Sequence, residues 1–307
     1  MQNAIELAGV TKRFGKKTAV DGLDLAVPTG AIYGFIGPNG SGKTTTLRMI
    51  LRIIQPDSGQ VAVLGKLRGR TADDQLGYLP EERGMYKRMK ARELLIYFSR
   101  LKGRYDAAKN VDQWLEKLGA AEWANMKIET LSKGMAQKIQ FISAIVTMPK
   151  LVILDEPFSG LDPVNMEVLR DAVLELRENG TTVIFSTHDM DMAQQMCDTI
   201  FMVFQGKKVL DGTLSEIQAT YPANRVRVIL SDTRQEFPSI DGIENLTQTR
   251  NSFEFKLENI EEKQRILQQL AARVSLDQFE VIRPTLHEIF VRIARPENAR
   301  AESLQDS

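Results

Sequence analysis

The chain has 307 residues, which at roughly 150 residues per domain is enough for about two domains. Lysine and arginine together number 40, as do aspartate and glutamate, so the formal net charge is zero and the overall charge does not demand a nucleic-acid or anionic-lipid partner. With 43% hydrophobic and 26% charged residues, the composition is that of a globular protein and not of a disordered or fibrous one.

The sequence also argues against a membrane-spanning protein, a secreted protein, an internal disulfide and a zinc cluster. The longest unbroken apolar runs, Leu94–Phe98 and Ile200–Phe204, are much shorter than the ~20 residues of a membrane helix, and the first residues contain no secretory signal. A single cysteine, Cys197, excludes an internal disulfide, and two histidines are too few for a zinc cluster. We therefore expect a cytoplasmic protein that does not span the membrane.

Up to about Gly212, short β-branched runs alternate with helical patterns, which is typical of a parallel sheet wrapped by helices. Between about Arg88 and Pro149 the pattern is helical throughout, which predicts a helical subdomain inserted into the sheet domain over about residues 88–149. The predicted strands are Ala31–Ile36, Leu151–Leu154, Thr181–Ser186 and Thr199–Phe204. The predicted helices of the insertion are Ala91–Leu101, Ala107–Leu118 and Ser132–Thr147.

A domain boundary is predicted where Thr213 and Glu216 form a capping box and Tyr221-Pro222 ends the short helix that follows. We expect a first domain over residues 1–215, a small C-terminal α/β domain over 222–295 and a flexible tail over 296–307. The strands predicted for the second domain are Val226–Leu230, Asn245–Thr249, Ser252–Leu257 and Gln278–Arg283. Its helix starts are predicted at Asn259 with Glu262 and at Thr285 with Glu288.

A phosphate-binding loop is predicted at Gly37–Thr44, which fits the pattern GxxxxGK[ST] between the strand ending at Ile36 and the helical pattern Thr45–Ile54. Glycine allows the loop to turn its backbone N–H groups toward phosphate oxygens, and the helix that follows adds partial positive charge. In such a loop Lys43 bridges the β- and γ-phosphates and Thr44 binds magnesium. The predicted nucleotide-binding residues here are Gly37, Pro38, Asn39, Gly40, Ser41, Gly42, Lys43, Thr44 and Thr45.

Two carboxylates follow the apolar run Leu151–Leu154, at the edge of an open α/β sheet where ligands bind. Asp155 suits the Walker B role of holding magnesium, directly or through water. Glu156 is then placed to orient or deprotonate the attacking water, since a general base must lie within one hydrogen bond of it. The pair predicts hydrolysis of a nucleoside triphosphate.

These motifs occur in the order and approximate spacing of ATP-binding cassette (ABC) transporters, and the chain resembles their nucleotide-binding subunit over about two thirds of its length. The resemblance implies an α/β P-loop NTPase cassette, with a mixed sheet core, that hydrolyses ATP with Mg²⁺. In chain order, the matching segments are Phe14, Gly37–Thr44, Leu131–Met135, Val152–Glu156, Ser159–Asp162 and His188.

In that family two subunits form a head-to-tail dimer, and each ATP lies between the phosphate loop of one copy and the signature segment of the other. The resemblance implies that Ser132 and Gly134 are the signature residues that face the γ-phosphate, and that Asp162 links the two sites across the interface. It also implies that His188 hydrogen-bonds the γ-phosphate. The text LSKGM departs from the usual LSGGQ at Lys133 and Met135.

Two further positions have an alternative interpretation. Phe14 occupies the place of the ring that stacks on adenine, although it also suits a residue packed under the first hairpin. Glu81 stands where the family has a glutamine that senses magnesium and the attacking water. A carboxylate can ligate magnesium but cannot donate a hydrogen bond as an amide does, and Glu81 also suits a solvated acid in a loop.

An ATPase without a membrane span moves a solute only by docking on integral-membrane permease subunits, and the resemblance places that dock at the inserted helices and around Glu81–Met89. Three sequence segments resemble ATPase subunits of bacterial exporters, including a sodium-extrusion type, that carry a C-terminal accessory domain. They are YLPEERGMY, LSKGMAQK and TLHEIFV. We therefore expect an ATPase at the inner face of the cell membrane that forms a homodimer with ATP and binds no nucleic acid.

Two alternative functions remain open from the sequence. A non-transport cassette ATPase acting on ribosomes or DNA is disfavoured by the single phosphate loop and by the lack of a coiled-coil insertion. A weakly hydrolysing regulatory subunit is suggested by Glu81, Lys133 and Met135, whereas Glu156 and His188 argue against it. The transported solute cannot be deduced, because its binding pocket belongs to the permease.

Overall fold

A computed structural model describes residues 3–66, 75–82, 84–221, 223–232 and 235–294. The chain divides into two compact units, Met1–Leu214 and Ser215–Ser307. The predicted tail at 296–307 and the helix-ending Pro222 lie outside the described residues.

The first unit contains nine strands and six α-helices among its described residues. The strands are β1 (Asn3–Phe14), β2 (Lys17–Pro28), β3 (Ile32–Ile36), β4 (Ser58–Val63), β5 (Leu76–Leu79), β6 (Leu151–Asp155), β7 (Thr182–Thr187), β8 (Thr199–Phe204) and β9 (Lys207–Gly212). The helices are α1 (Lys43–Ile50), α2 (Ala91–Leu101), α3 (Ala108–Lys117), α4 (Lys133–Ile145), α5 (Pro163–Glu178) and α6 (Met190–Met196).

The central sheet has the strand order β5-β6-β7-β3-β8-β9, in which the first five strands are parallel and β9 is antiparallel. Every residue of β3, β6 and β7 is buried, as expected for parallel strands covered on both faces. The predicted strands at these positions are confirmed to within one residue at each end. Parallel strands end at one edge, so the loops after β3, β6 and β7 meet there.

A second, antiparallel sheet with the order β2-β1-β4 was not predicted from the sequence. Its strands pair with repeated register shifts, at Leu7/Val10 and Val10/Lys12 for example, which break the alternation of apolar and polar residues that identifies a strand. Apolar residues of this sheet share one core with α1 and with the central sheet. That core fixes α1, and therefore the loop before it, between the two sheets.

The stretch predicted to be helical contains α2, α3 and α4, whose apolar faces share one core with β6 and β7. The predicted end of the first helix is wrong, since α1 ends at Ile50, four residues before Ile54. Leu51 caps the helix and Arg52 then adopts a left-handed backbone with φ +58°, which ends the helical path.

The second unit contains a four-stranded antiparallel sheet with the order β11-β12-β10-β13. Its core is formed by alternate residues of β10 and β12 with one face of α8. Thr285 and Glu288 form the predicted capping box at 3.0 and 3.2 Å. The elements are α7 (Leu214–Ala219), β10 (Arg225–Leu230), β11 (Ile243–Thr249), β12 (Ser252–Leu257), α8 (Lys263–Ala271), β13 (Leu276–Ile282) and α9 (Leu286–Ala294).

Among the described residues, we find no helix with the length and apolar character needed to cross a membrane.

The close contact of β5 with α4 generates a stability prediction. A Cβ at Gly77 would lie 2.2 Å from the Ala144 carbonyl oxygen and 3.1 Å from Pro149 Cγ, so Gly77→Ala must push α4 away from the sheet. We expect a loss of about 1–3 kcal/mol in the free energy of unfolding, measured in urea. Gly84→Ala, where a Cβ meets no atom within 4 Å, is the control. Equal stability of the two variants would contradict this packing.

Candidate functional site

The phosphate-binding loop Gly37–Thr44 connects β3 to α1 at the carboxyl edge of the central sheet. A Cβ on Gly37 would lie 2.2 Å from the Val203 carbonyl oxygen, and one on Gly42 would lie 2.5 Å from the Ala19 carbonyl oxygen. Both glycines also have positive φ, at 149° and 113°. Only glycine therefore fits at these two positions, where backbone passes close to backbone.

The ammonium of Lys43 lies inside this loop and is only 6% exposed. Its Nζ donates to the carbonyl oxygens of Gly37 at 2.6 Å and of Pro38 at 3.3 Å, and it lies 3.8 Å from Glu156 Oε1. Burial lowers the pKa of Lys43 from its usual value, while the nearby carboxylates oppose that shift. The loop thus holds a positive charge where a phosphate oxygen would enter.

Asp155 ends β6 and is 1% exposed. Its Oδ1 accepts a hydrogen bond from Ser186 Oγ and lies 3.5 Å from Thr44 Oγ1. Its Oδ2 is buried and has no hydrogen-bond partner in the part of the chain that is described. A buried carboxylate oxygen without a partner, beside a hydroxyl, fits a magnesium ion, because Mg²⁺ takes oxygen ligands from one or two carboxylates together with phosphates.

Glu156 follows Asp155 with a left-handed backbone at φ +51°, and its amide donates to the Ser186 carbonyl oxygen at 3.2 Å and to Ser186 Oγ at 3.1 Å. His188 Nδ1 lies 3.1 Å from both carboxylate oxygens of Glu156. A non-glycine residue with positive φ is strained, and such strain is common at functional sites. The strained turn directs the Glu156 carboxylate toward Lys43, where a carboxylate can accept a proton from water.

Most of the predicted residues line one cleft of about 370 Å³ beside the phosphate-binding loop. Phe14 is 51% exposed there, so its ring is available to a ligand and is not packed beneath the hairpin. The cleft is lined by Phe14, Lys17, Ala19, Asn39, Gly40, Gly42, Lys43, Thr44, Thr45, Glu81 and Glu156.

An adjoining cleft of about 220 Å³ shares Glu81 and Glu156 with the first and adds Asp155. Glu81 therefore lies with the other two carboxylates, where it is available to a divalent cation. The remaining residues of this second cleft are Leu79, Pro80, Lys133, Gln137, Gln140 and Ser159.

Seven predicted residues line neither cleft. Gly37, Pro38 and Ser41 belong to the phosphate-binding loop itself, and His188 contacts Glu156. The other three are Ser132, Gly134 and Asp162. Ser132 Oγ caps α4 and accepts from the Met135 amide at 3.3 Å. Asp162 caps α5 and accepts from the Asn165 amide at 3.0 Å. Both residues are exposed, at the start of helices whose N-termini carry partial positive charge.

Sequence reasoning missed Ser186, which contacts both Asp155 and Glu156. Ser186 is the register partner of Asp155 on the neighbouring parallel strand. The signal was present, because Ser186 closes the predicted strand Thr181–Ser186 and the ends of parallel strands meet at one edge. Lys17, which lines the first cleft, lies in the unpredicted antiparallel sheet and gave no such signal.

A glycine-rich loop between β3 and α1, with a carboxylate ending a neighbouring parallel strand, defines a P-loop nucleotide-binding protein. Residues 20–159 match the family model described as "ABC transporter", and residues 212–294 match the one described as "ATP-binding protein DrrA1-3-like, C-terminal domain". The chain belongs to the family of ABC transporter ATP-binding proteins, which are ATPases.

Relatives match most of the chain. It is 41% identical to the uncharacterized ABC transporter ATP-binding protein YhaQ of Bacillus subtilis, over 92% of this chain and 95% of that one. It is 34% identical to the daunorubicin resistance ATP-binding protein DrrA3 of Streptomyces coeruleorubidus, over 76% and 75% of the two chains, and 35% identical to the Nod factor export ATP-binding protein I of Burkholderia orbicola, over 68% and 70%.

A solved structure described as an ATP-binding subunit of an ABC transporter aligns with a TM-score of 0.66 at 26% identity. The alignment covers 71% of this chain and 93% of that one. The fold is therefore that of an ABC ATPase cassette, as the sequence predicts.

The buried ammonium of Lys43 generates a prediction for nucleotide binding. Lys43→Ala removes the cation that the loop holds beside its carbonyl oxygens, so we expect the affinity for fluorescently labelled ATP to fall at least 100-fold in a titration with Mg²⁺. Lys16→Ala is the control, because Lys16 is exposed and lines neither cleft. Unchanged affinity of the Lys43 variant would show that the phosphates bind elsewhere.

Proposed function

We propose that this chain hydrolyses ATP to drive export of a solute through a separate integral-membrane permease. The observation that carries the proposal is the meeting of Lys43, Thr44, Asp155 and Glu156 at one edge of the sheet, around a cleft large enough for part of a nucleotide. The name of one relative, the Nod factor export ATP-binding protein I, supports the direction of transport.

The residues of the cleft supply the parts that hydrolysis needs. The backbone amides of Gly40–Thr45 and the Lys43 ammonium hold the β- and γ-phosphates. Thr44 and Asp155, with Glu81, are the residues that would hold Mg²⁺, which would neutralise phosphate charge when bound. The Glu156 carboxylate orients a water molecule and accepts its proton, while His188 fixes that carboxylate through its Nδ1 and hydrogen-bonds the γ-phosphate.

The active unit we propose is a head-to-tail homodimer. Ser132, Gly134 and Asp162 lie outside the clefts of their own chain, and Ser132 and Asp162 are exposed at helix starts. A second copy, turned to face the first, can bring its Ser132 hydroxyl and the N-terminus of its α4 to the γ-phosphate. Two ATP molecules would then lie between the copies.

The permease dock we propose is a groove of about 410 Å³ beside α2. Residues of α2 spaced three or four positions apart, which lie on one face of the helix, form one wall of the groove. Such a groove suits a short helix of a partner. This contact would hold the ATPase at the cytoplasmic face of the cell membrane. The groove is lined by Met89, Lys90, Arg92, Glu93, Ile96, Tyr97, Arg100, Ala124 and Asn125.

The C-terminal unit, for which we propose bounds of 222–295, is an accessory domain that regulates the ATPase or assists its dimerisation. Its support is the match of residues 212–294 to the C-terminal domain of DrrA-like ATP-binding proteins. Daunorubicin resistance and Nod factor export are stated for the relatives alone, and neither solute is assigned to this chain.

The role of Glu156 gives the test of this function. Glu156→Gln keeps the shape of the side chain and removes the base, so we expect ATP to bind while turnover falls at least 100-fold. With ATP and Mg²⁺, light scattering after gel filtration should show the mass of a dimer for this variant and a monomer without nucleotide.

The matched control is Glu178→Gln, since Glu178 is exposed at the end of α5. It should hydrolyse ATP as the parent does and should not accumulate the dimer. If Glu156→Gln hydrolyses ATP at the parent's rate, another group is the base. A variant that binds ATP and stays monomeric would contradict the head-to-tail dimer.

A further inference from the structure

Helix α4 buries three large polar side chains within four positions, which is unusual for a helix inside an apolar core. Gln137, Lys138 and Gln140 are 6%, 5% and 5% exposed. Burying an amide or an ammonium costs free energy unless the group forms hydrogen bonds, so each of these side chains needs a hydrogen-bond partner. All three donate to backbone carbonyl oxygens of segments outside α4.

Gln137 reaches the loop that carries Glu156. Its Nε2 donates to the Pro157 carbonyl oxygen at 2.5 Å. The backbone amide of Glu156, the residue before Pro157, donates to Ser186. The strained turn at Glu156 is therefore fixed from two directions, by β7 on one side and by α4 on the other.

Gln140 reaches the loop that carries Glu81. Its Nε2 lies 3.4 Å from the Pro80 carbonyl oxygen and 3.5 Å from the Glu82 carbonyl oxygen, which flank Glu81 on either side. Residues three apart share one face of a helix, so Gln137 and Gln140 point into the same cleft. That cleft also contains Asp155, Glu81 and Glu156.

Lys138 is equally buried but does not line that cleft. Its Nζ donates to the Leu118 carbonyl oxygen at 2.8 Å, at the end of α3, and lies 5.7 Å from the centre of the Trp123 ring. It ties α4 to the end of α3 within the helical subdomain, and neither of these two contacts involves a carboxylate loop. Lys138 therefore offers a control for the loss of a buried hydrogen bond from the same helix.

We propose that Gln137 and Gln140 are positioning residues that fasten the loops of Glu156 and Glu81 to α4, so that the place of this helix sets the place of both carboxylates. The inference rests on the proposed function, in which Ser132 and Gly134 at the start of α4 meet the ATP of a second copy. Gln137 lies five residues after Ser132, about 7.5 Å along the helix. When the start of α4 contacts the ATP of a second copy, α4 thus also sets the positions of Glu156 and Glu81 in its own chain.

The test compares Gln137→Met, Gln140→Met and Lys138→Met in the full-length chain, since methionine is unbranched, fills buried space and cannot donate a hydrogen bond. For Gln137→Met we expect kcat to fall at least 10-fold with KM for ATP within 2-fold of the parent, because Glu156 loses its position while the phosphate-binding loop is intact. For Gln140→Met we expect the Mg²⁺ concentration at half-maximal turnover to rise at least 5-fold. Lys138→Met should lower the thermal unfolding midpoint and change neither quantity by more than 2-fold.

Amide hydrogen exchange of the chain without nucleotide gives a second readout. Exchange should rise at least 5-fold in residues 156–161 of the Gln137 variant and in residues 76–82 of the Gln140 variant, and in neither segment of the Lys138 variant. If Gln137→Met does not fold, Gln137→Asn replaces it, because asparagine keeps an amide but is one methylene too short to reach Pro157.

Two results would overturn the inference. Kinetics of both glutamine variants within 2-fold of the parent's would show that these amides do not position the carboxylates. Equal kinetic losses in Lys138→Met would show that any lost bond of α4 has the same effect, so that the role is one of general stability. A parent chain that fails to bind ATP would instead overturn the proposed function, whereas normal ATP binding with unchanged variants would overturn this inference alone.

Discussion

The ammonium of Lys43, buried inside its own loop, is the interaction on which the rest of the site depends. An unpaired cation in this place would be costly, and the fold compensates with two loop carbonyls and the carboxylate of Glu156. That arrangement requires the loop to curl tightly, which in turn requires glycine at Gly37 and Gly42 where the backbone of β8 and β2 passes close by.

The two sheets of the first unit contribute to the site around the phosphate-binding loop in different ways. The parallel sheet brings the ends of β3, β6 and β7 together, and so places the loop, Asp155 and Ser186 at one edge. The antiparallel sheet closes over α1 and contributes Phe14 and Lys17 to the cleft. Because α4 is fastened to the loops of both Glu81 and Glu156, the helical subdomain is connected to this edge through polar contacts as well as through its apolar core.

Short motifs and continuous apolar runs could be read from the sequence because they are local. The run Leu151–Leu154 predicts β6, and its end predicts the place of Asp155 without further information. The antiparallel sheet escaped because its register shifts interrupt the alternation on which strand prediction depends. The premature end of α1 escaped because a left-handed residue, Arg52, can occur without a glycine to mark it.

Partnerships across the fold could not be predicted in the same way. In the sequence, Gln137 is one polar residue of a predicted helix, and only the tertiary structure shows that it donates to the Pro157 carbonyl oxygen. The contact of Ser186 could be predicted in part, since the register of parallel strands places Ser186 beside Asp155 once the strand order is known. Ser132, Gly134 and Asp162 were assigned by resemblance, and their roles remain predictions that depend on a second copy of the chain.

The central claim is that this ATPase works on a membrane permease, and co-purification tests it most directly. A tagged chain with Glu156→Gln, extracted with ATP from detergent-solubilised membranes of the cell that produces it, would be analysed by mass spectrometry for proteins present in stoichiometric amount. The account predicts a protein with several membrane spans, absent when Lys43→Ala is added to the same chain. Recovery of ribosomal or DNA-binding proteins in place of a membrane protein would contradict it.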